Sequence, residues 1–358
     1  KAQEVSAFMR EFYASTKDRE AEICCFLLTG LTKIAKAGVF SVFNHLIELT
    51  TQEDYACFLG CTQKEMERVY AEHIERCVEE MHITRAELLG RIKDYYNGFS
   101  FDGVHSVYNP YSLMHFFNER RFKNFWIDTG ATSSLTSYMK IHDFRPENFL
   151  HKLYRESDMV SYEIAQAPPA SYLVQTGYLT FKGKDENGDY ILDYPNQEVR
   201  DSVSALLLST VYDVDRDTES KASGQLAEAL GNRDFNAMFA VFKEIFAAIP
   251  GKLYGKDESW YHTVLLTFLW GCSVRAKAEE WTANGISDIV IEWKPAKAKK
   301  FDVYIIELKK KPPETSLAQI HSKGYAEKYA SAPHLALAGI EIGTRKKGLK
   351  SCKIEVIK

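Results

Sequence analysis

The chain has 358 residues, of which 45% are apolar, and this is enough to bury substantial cores and to form two or three domains. Its formal net charge is −4, no apolar stretch approaches the ~20 residues of a membrane-spanning helix, and its start lacks a charged-then-apolar signal segment. The seven cysteines form no C-x-x-C pair and the histidines show no ligand spacing, which argues against structural zinc and for a reducing compartment. We therefore expect a cytoplasmic protein that does not contact the membrane.

The net charge is distributed unevenly along the chain. From Lys252 to Lys358 there are 19 Lys and Arg against 12 Asp and Glu, a net charge of +7, whereas residues 1–251 carry 26 against 37, or −11. Most of the excess lies in three clusters, Lys297–Lys300, Lys309–Lys311 and Arg345–Lys353. A basic C-terminal third favours binding to a nucleic-acid backbone, and a lysine-rich solvated surface is the alternative.

The first half of the chain reads mainly as helices. The segment EICCFLLTGLTK (22–33) predicts an apolar strand that ends in a turn at Gly30, with Thr32 and Lys33 just beyond it. Residues 51–98 alternate helical periodicity with turn signals, which is typical of a helical lid or bundle. A further helix is expected after Asn109-Pro110, because proline is favoured in the first helical turn.

Aromatic residues are dense between positions 95 and 126, and a packed core explains them better than base stacking does. The segment YLTFKGKDENGDYILDYP (178–195) then predicts a β-hairpin with its turn at Asn187-Gly188. After the preceding helices it is typical of the wing of a winged-helix module. Its acidic tip favours a structural or protein-contacting role. Residues 198–250 read as helical, with SKASG (220–224) expected to form a loop.

The C-terminal third predicts helices and strands in a specific order. ESWYHTVLLTFLWG (258–271) is apolar nearly all round and reads as a buried helix. SDIVIE (287–292), VYIIELKK (303–310) and HLALAGIEI (334–342) read as strands. The stretch ETSLAQIHSKGYAEKYA (314–330) reads as a helix that places Gln319 and Lys323 on one face.

A candidate metal site follows from the strand at 303–310. Residues two apart on a strand point to one face, so Glu307 and Lys309 would project together. An Asp from a neighbouring strand would complete a cluster that can hold Mg²⁺ and activate water against a phosphodiester, and Glu258 in the first turn of the buried helix could also reach a metal.

The Glu-x-Lys pattern is common, and a second copy stands at Glu292-Trp-Lys294, only four residues after Asp288. The alternative for Glu307 and Lys309 is a solvated pair on an edge strand.

These C-terminal motifs together resemble the PD-(D/E)XK nuclease superfamily, in the branch that follows an AAA-ATPase-like region in many bacterial proteins. The resemblance continues upstream through FLLTGLTKIAKAGVFSVFNHL, DYYNGFSFDG, VYNPYSL, FWIDTGATSSL, LVQTGYLTF and YPNQEVR, and so covers nearly the whole chain.

The resemblance implies a role for individual residues. Asp288 and Glu307 match the carboxylates that bind Mg²⁺ or Mn²⁺, and Lys309 matches the lysine that orients or deprotonates the attacking water. Glu258 matches the acidic residue of the first helix, which assists metal binding. Gln319 matches the glutamine on the helix after the core. Tyr325, in a segment typical of this branch, has no assigned role.

The chain departs from the family pattern in two places. Family members usually carry Arg where this sequence has Ile286, which puts a phosphate contact in doubt more than the metal site. No G-x-x-x-x-G-K-[ST] loop occurs, and GKLYGKD (251–257) has the wrong spacing. We therefore expect a fragment without ATPase activity, with ATP used only in an intact protein. Thr32 and Lys33 match a position that senses the terminal phosphate, although a strand-to-loop junction explains them better.

The sequence thus predicts an α/β, multi-domain α+β protein. It would contain a remnant of an AAA-ATPase-like core (1–50), a helical lid-like region (51–165), a winged-helix-like hairpin with helices (166–250), and a restriction-endonuclease-like PD-(D/E)XK domain (251–358). The expected function is metal-dependent cleavage of nucleic acid, with DNA favoured over RNA. The alternatives are an inactive nuclease fold that binds nucleic acid or protein, and an ATPase-like regulator whose partner supplies the active core. An oligomer formed through the ATPase-like region is also left open.

Overall fold

The computed structural model describes residues 2–17, 19–30, 47–126, 132–141, 144, 146–159, 169–282, 285–295, 298, 300–343 and 348–358. The helices described are α1 (Ala2–Lys17), α2 (Gln63–Val69), α3 (Ala71–Met81), α4 (Arg85–Tyr96), α5 (Pro110–Glu119), α6 (Thr132–Ile141), α7 (Pro169–Gln175), α8 (Gln197–Thr210), α9 (Arg216–Gly231), α10 (Phe235–Ala248), α11 (Glu258–Gly271), α12 (Pro313–Ser322) and α13 (Tyr325–Lys328). The strands described are β1 (Leu153–Tyr154), β2 (Thr180–Lys184), β3 (Tyr190–Asp193), β4 (Ala276–Thr282), β5 (Gly285–Trp293), β6 (Asp302–Lys309), β7 (Leu335–Ile342) and β8 (Leu349–Val356).

The chain is of mixed α/β class, as predicted, and its described residues form two separate sheets. It divides into two compact units. The first consists of Lys1–Thr129 and Asn148–Val199, and the second of Gly130–Glu147 and Arg200–Lys358. No described helix combines the length and the apolar character needed to cross a membrane.

In the first unit, helices α2 to α5 pack around an aromatic core. The predicted start of α5 is confirmed, because Pro110 is its first residue and the Asn109 side chain accepts a hydrogen bond from the Tyr111 N–H. Five aromatic residues are buried in this core, which supports the packing interpretation over base stacking: Tyr96, Tyr108, Phe116, Phe117 and Phe125.

The predicted hairpin in the first unit is also confirmed. Strands β2 and β3 pair antiparallel, and Gly188 takes a positive φ of 86° at the turn, where glycine avoids the strain that a Cβ would cause. A short strand that was not predicted, β1, pairs with the other edge of β3 and makes a three-stranded sheet.

The strand predicted over residues 22–33 is wrong for the part that is described. Residues 23–30 form no strand and are exposed, while Thr32 and Lys33 lie outside the described residues. The apolar composition of this segment pointed to a strand, but a strand also needs a neighbour for its backbone N–H and C=O groups. Within the described chain, no segment forms a ladder with it.

The loop predicted at residues 220–224 in the second unit is also wrong, because α9 runs through it. The helix is capped by Asp215, whose side chain accepts a hydrogen bond from the Thr218 N–H. Ala222 and Leu226, four apart on one helical face, are fully buried. Burial of this face outweighs the weak helix propensity of the Ser and Gly residues.

The second unit contains a five-stranded mixed sheet of order β4-β5-β6-β7-β8. Strand β6 is central, antiparallel to β5 and parallel to β7, and its residues from Asp302 to Leu308 are all buried. The edge-strand alternative for the Glu307 triplet is therefore excluded. Helix α11 packs on β4, β5 and β6, and α12 packs on β6, β7 and β8, so that helices cover the sheet.

Candidate active site

The end of β6 sets the geometry of the candidate site. Val303 and Ile305 pack against Leu317 and Ile320 of α12. Because side chains alternate along a strand, Glu307 continues the same face two residues later. A carboxylate therefore follows two core residues at the point where the buried strand ends.

The Glu307 carboxylate is buried and is contacted by two polar side chains. The Gln319 amide donates to its Oε1 at 3.2 Å, and the Lys309 ammonium lies 3.3 Å from the same oxygen. Lys309 is 19% exposed, so the ammonium reaches toward solvent while compensating the buried charge. A buried carboxylate is tolerated only with such partners, and these are three of the residues that the sequence predicted for the site.

Gln319 reaches Glu307 because α12 approaches the sheet closely at Gly339. Gly339 of β7 is paired with Glu307 across the ladder. A Cβ on Gly339 would lie 2.1 Å from the Pro313 carbonyl oxygen at the start of α12. The absence of a side chain at this position thus brings the α12 backbone against the strand beside Glu307.

Glu258, the fourth predicted residue, lies at the same end of β6. Its Oε1 accepts a hydrogen bond from the backbone N–H of Lys310 at 2.8 Å, one residue after Lys309. The helix it begins is confirmed at Glu258–Gly271, and its residues from Trp260 to Trp270 are all buried, as its apolar sequence predicted.

Asp288, the fifth predicted residue, is described only by its backbone in β5, and its side chain lies outside the described part of the structure. The antiparallel pairing of β5 with β6 extends to Ile289 opposite Ile306. Asp288 directly precedes Ile289 and Glu307 directly follows Ile306, so the two residues lie next to the last pair of this ladder. The side chains of Ile286 and Tyr325 are likewise outside the described part.

The helix expected over 314–330 is interrupted. Helix α12 ends at Ser322, Lys323 caps its end, and Gly324 has a φ of +66° before the short helix α13. Lys323 itself keeps helical φ and ψ and its N–H donates to the Gln319 carbonyl, so these two residues share the last turn of α12 as predicted, and the break comes at Gly324.

The structure adds one residue that the sequence did not single out. His262 is buried on α11 with its Nε2 3.6 Å from Glu307 Oε2. It also accepts a hydrogen bond at Nε2 from the Leu308 N–H, at 3.3 Å. The available signal was the spacing, because His262 lies four residues after Glu258 and so shares its helical face.

The donor set suits a divalent cation. Glu307 at the end of β6 and Glu258 of α11 next to it both offer hard carboxylate oxygens. Such oxygens are the ligand type that Mg²⁺ and Mn²⁺ prefer. Among the described side chains, no group of three or more His, Cys, Asp and Glu is arranged to hold a metal. Asp288 would supply a further carboxylate from the adjacent strand.

A central strand that ends in a buried Glu-x-Lys triplet, covered by helices and flanked by a second acidic strand, defines an α/β domain with a carboxylate–lysine site. Residues 256–351 match the family model of the PD-(D/E)XK nuclease superfamily, which supports a domain of this type in the C-terminal segment.

One similar protein is known from Azotobacter chroococcum mcd 1, where it carries the name "Uncharacterized protein in vnfD 5'region". It is 26% identical over 349 residues, which cover 95% of this chain and 65% of the relative. The chain thus spans just under two thirds of that relative's length. No solved structure gives a significant match.

Proposed function

We propose that the C-terminal domain is a metal-dependent nuclease that hydrolyses phosphodiester bonds, with DNA favoured over RNA. The observation that carries this proposal is the shared contact at Glu307, whose Oε1 is held by both Lys309 and Gln319 at the end of the central strand. A buried carboxylate with an ammonium reaching from it toward solvent brings together the two charges that phosphodiester hydrolysis requires.

Each residue has a defined part in this proposal. Asp288 and Glu307 would hold one or two Mg²⁺ or Mn²⁺ ions, with Glu258 assisting. The ion supplies charge stabilisation at the scissile phosphate and a more acidic water. Lys309 Nζ donates hydrogen bonds that orient the attacking water, and Gln319 Nε2 fixes the Glu307 carboxylate.

For the rest of the chain we propose the organisation that the sequence resemblance implies. Residues 1–50 would belong to an AAA-ATPase-like core, 51–165 to a lid-like region and 166–250 to a winged-helix-like module, all preceding the nuclease domain at 251–358. In an intact protein, nucleotide binding would control access to the nuclease site. The helices α2 to α5 and the β2–β3 hairpin are the elements expected of the lid-like and winged-helix-like parts, whereas residues 200–250 fall in the second unit together with the five-stranded sheet.

The test is cleavage of labelled single- and double-stranded DNA and RNA in Mg²⁺ or Mn²⁺, with EDTA as the blank. The wild type should cleave at least one substrate, and Lys309→Ala should lower the rate roughly 10²-fold, the lower end of the contribution of a positioned proton-transfer group. Lys294→Ala, which changes the Glu-x-Lys copy on the neighbouring strand, is the matched control and should retain full activity.

The rival function is an inactive nuclease fold that binds nucleic acid. Ile286, in place of the Arg usual in this family, favours it. A substrate shift on a gel without cleavage by any of the proteins would support this rival. Cleavage would then be measured again with an ATPase-like half added to the protein. A gated enzyme would begin to cleave, whereas an inactive fold would not.

A further inference from the structure

Helix α11 supplies hydrogen-bond acceptors to the backbone of β6. The Val303 N–H points to the β7 side, where it donates to the His334 carbonyl. Backbone N–H groups alternate sides along a strand, so those of Leu308 and Lys310 point to the opposite side. Their acceptors are side chains of α11: His262 Nε2 for Leu308 at 3.3 Å, and Glu258 Oε1 for Lys310 at 2.8 Å.

Each ring nitrogen of His262 has its own backbone partner. Its Nδ1 lies 3.0 Å from the Glu258 carbonyl oxygen. The Glu258 carbonyl can only accept and the Leu308 N–H can only donate, so the two contacts suit the tautomer that has its proton on Nδ1 and an acceptor at Nε2. Both ring nitrogens are thus engaged inside the protein.

We propose that His262 is a positioning residue of the nuclease site, which acts as a hydrogen-bond acceptor that fixes the peptide joining Glu307 to Leu308. This rests on the proposed function of the domain. Leu308 is the middle residue of the Glu-x-Lys triplet, so holding its N–H sets the directions in which both charged side chains leave the strand. The distance of 3.6 Å from Nε2 to Glu307 Oε2 is longer than a hydrogen bond, so His262 acts on the carboxylate through the backbone.

Two other roles are distinguishable from this one. A histidine that only fills the core would be replaced by an apolar residue of similar size without loss of activity. A histidine that ligates the metal would have to give up the Leu308 N–H, since Nε2 has a single lone pair. Positioning predicts instead that any acceptor at the place of Nε2 will suffice.

The first test reads the tautomer directly, by two-bond ¹H–¹⁵N correlation spectra of the full chain with ¹⁵N-labelled histidine. We expect the Nδ1–H form of His262, with its Nε2 signal unchanged when Mg²⁺ is added. A protonated Nε2, or an Nε2 signal that moves strongly with Mg²⁺, would overturn the proposal. The His262→Gln spectrum assigns the resonance by its disappearance.

The second test compares two variants. His262→Gln keeps an acceptor near the position of Nε2 and should cleave within about threefold of wild type, because positioning needs only the acceptor. His262→Leu removes it and should lose roughly 10- to 100-fold, the usual cost of a lost supporting contact around a site. His321→Gln on the exposed side of α12 is the matched control and should be unchanged. Equal activity of Gln and Leu variants, or equal loss in both, would contradict positioning.

Hydrogen exchange at Leu308 separates failure of this inference from failure of the proposed function. The Leu308 amide should be protected in wild type and His262→Gln, and should exchange faster in His262→Leu. If the wild type cleaves nothing, the nuclease proposal fails. If His262→Leu leaves the exchange rate of the Leu308 amide unchanged, the positioning role of His262 fails, whatever the cleavage assay shows. If His262→Leu does not fold, the tautomer of His262 in the wild type still tests the positioning role.

Discussion

Two of the three Glu-x-Lys triplets of this chain lie at opposite ends of the same sheet, and the third, Glu219-Ser220-Lys221, lies in α9. Glu292 is near the end of β5, paired with Val303 at the beginning of β6, whereas Glu307 is at the end of β6. The Glu292 side chain is 15% exposed and accepts from Arg275 and Lys277, whose side chains are more than half exposed. The Glu307 side chain is 3% exposed and is held by Lys309 and Gln319.

The contrast between Glu292 and Glu307 shows that a Glu-x-Lys triplet alone does not identify a functional site. Ion pairs with solvated partners, such as those of Glu292, contribute about 0–1 kcal/mol and place no constraint on chemistry. A carboxylate buried at the end of a central strand needs its partners, and here they are Lys309 on the same strand and Gln319 on the helix that follows it. Position in the sheet, and not the pattern, distinguishes a candidate site from a surface pair.

The largest expected effect is at Glu307. Glu307→Gln keeps the shape of the side chain but removes the charge that holds a metal, so cleavage should fall roughly 10³-fold, corresponding to several kcal/mol of transition-state stabilisation. Glu292→Gln, the same change in the triplet of β5, should stay within about twofold. Rates with the preferred nucleic acid in Mg²⁺ measure both. Similar losses of cleavage rate in the two variants would show that the triplets at Glu292 and Glu307 do not differ in function.

The close approach of α12 to β7 predicts a stability effect. Gly339→Ala inserts a methyl group 2.1 Å from the Pro313 carbonyl oxygen. The free energy of unfolding should fall by about 1–3 kcal/mol, the usual cost of overpacking. Gly224→Ala, in the middle of α9 with nothing within 4 Å, should instead raise it by about 0.4–1 kcal/mol. Urea denaturation measures both; a neutral Gly339→Ala would show that α12 can shift freely.

Gln319 predicts a smaller, local effect. Gln319→Ala removes the amide that donates to Glu307 Oε1, and the cleavage rate should fall about tenfold while the fold is kept. Glu314→Ala removes an exposed partner of Lys353 on the same helix and serves as control. An unchanged rate for Gln319→Ala would mean that Lys309 alone suffices to hold the carboxylate.

Glu219 on α9 predicts a pH dependence of stability. Burial raises the pKa of Glu219 to about 7, and the charge of Arg216 only partly offsets this. Because the folded-state pKa lies above the ordinary value of 4.5, the stabilising contribution is full below pH ~4.5 and is lost as the pH rises through 7. Stability should therefore decline between pH 5 and 8.

Denaturation midpoints at pH 5 and pH 8 measure this decline. Glu219→Gln should remove part of it, whereas Glu228→Gln, an exposed change on the same helix, should not. A decline of equal size in wild type and Glu219→Gln would assign it to other groups.

The spacing of apolar residues predicted much of this architecture, because residues buried on one face of a helix or strand recur with the period of that element. The helix at 258–271, the hairpin at 178–195 and the strand at 334–342 were all predicted from their apolar pattern and turn residues. The strand expected at 22–33 and the loop expected at 220–224 were wrong, since both depended on composition while pairing and packing decide the outcome.

The candidate site was predictable only in part. The alternation of a strand indicated that Glu307 and Lys309 share a face, and the structure brings them together with Gln319. His262 was missed because a histidine in an apolar helix looks like a core residue, and only the pairing of β6 reveals which N–H it accepts. Long-range contacts of this kind leave no local signal.

The most direct test of the central claim is Mn²⁺ binding, measured by calorimetry on wild type, Asp288→Ala, Glu307→Gln and Glu292→Gln. The account predicts that wild type and Glu292→Gln bind one or two ions alike, and that Asp288→Ala and Glu307→Gln lose the binding. Unchanged binding in Glu307→Gln, or none in the wild type, would contradict a metal site at the end of β6.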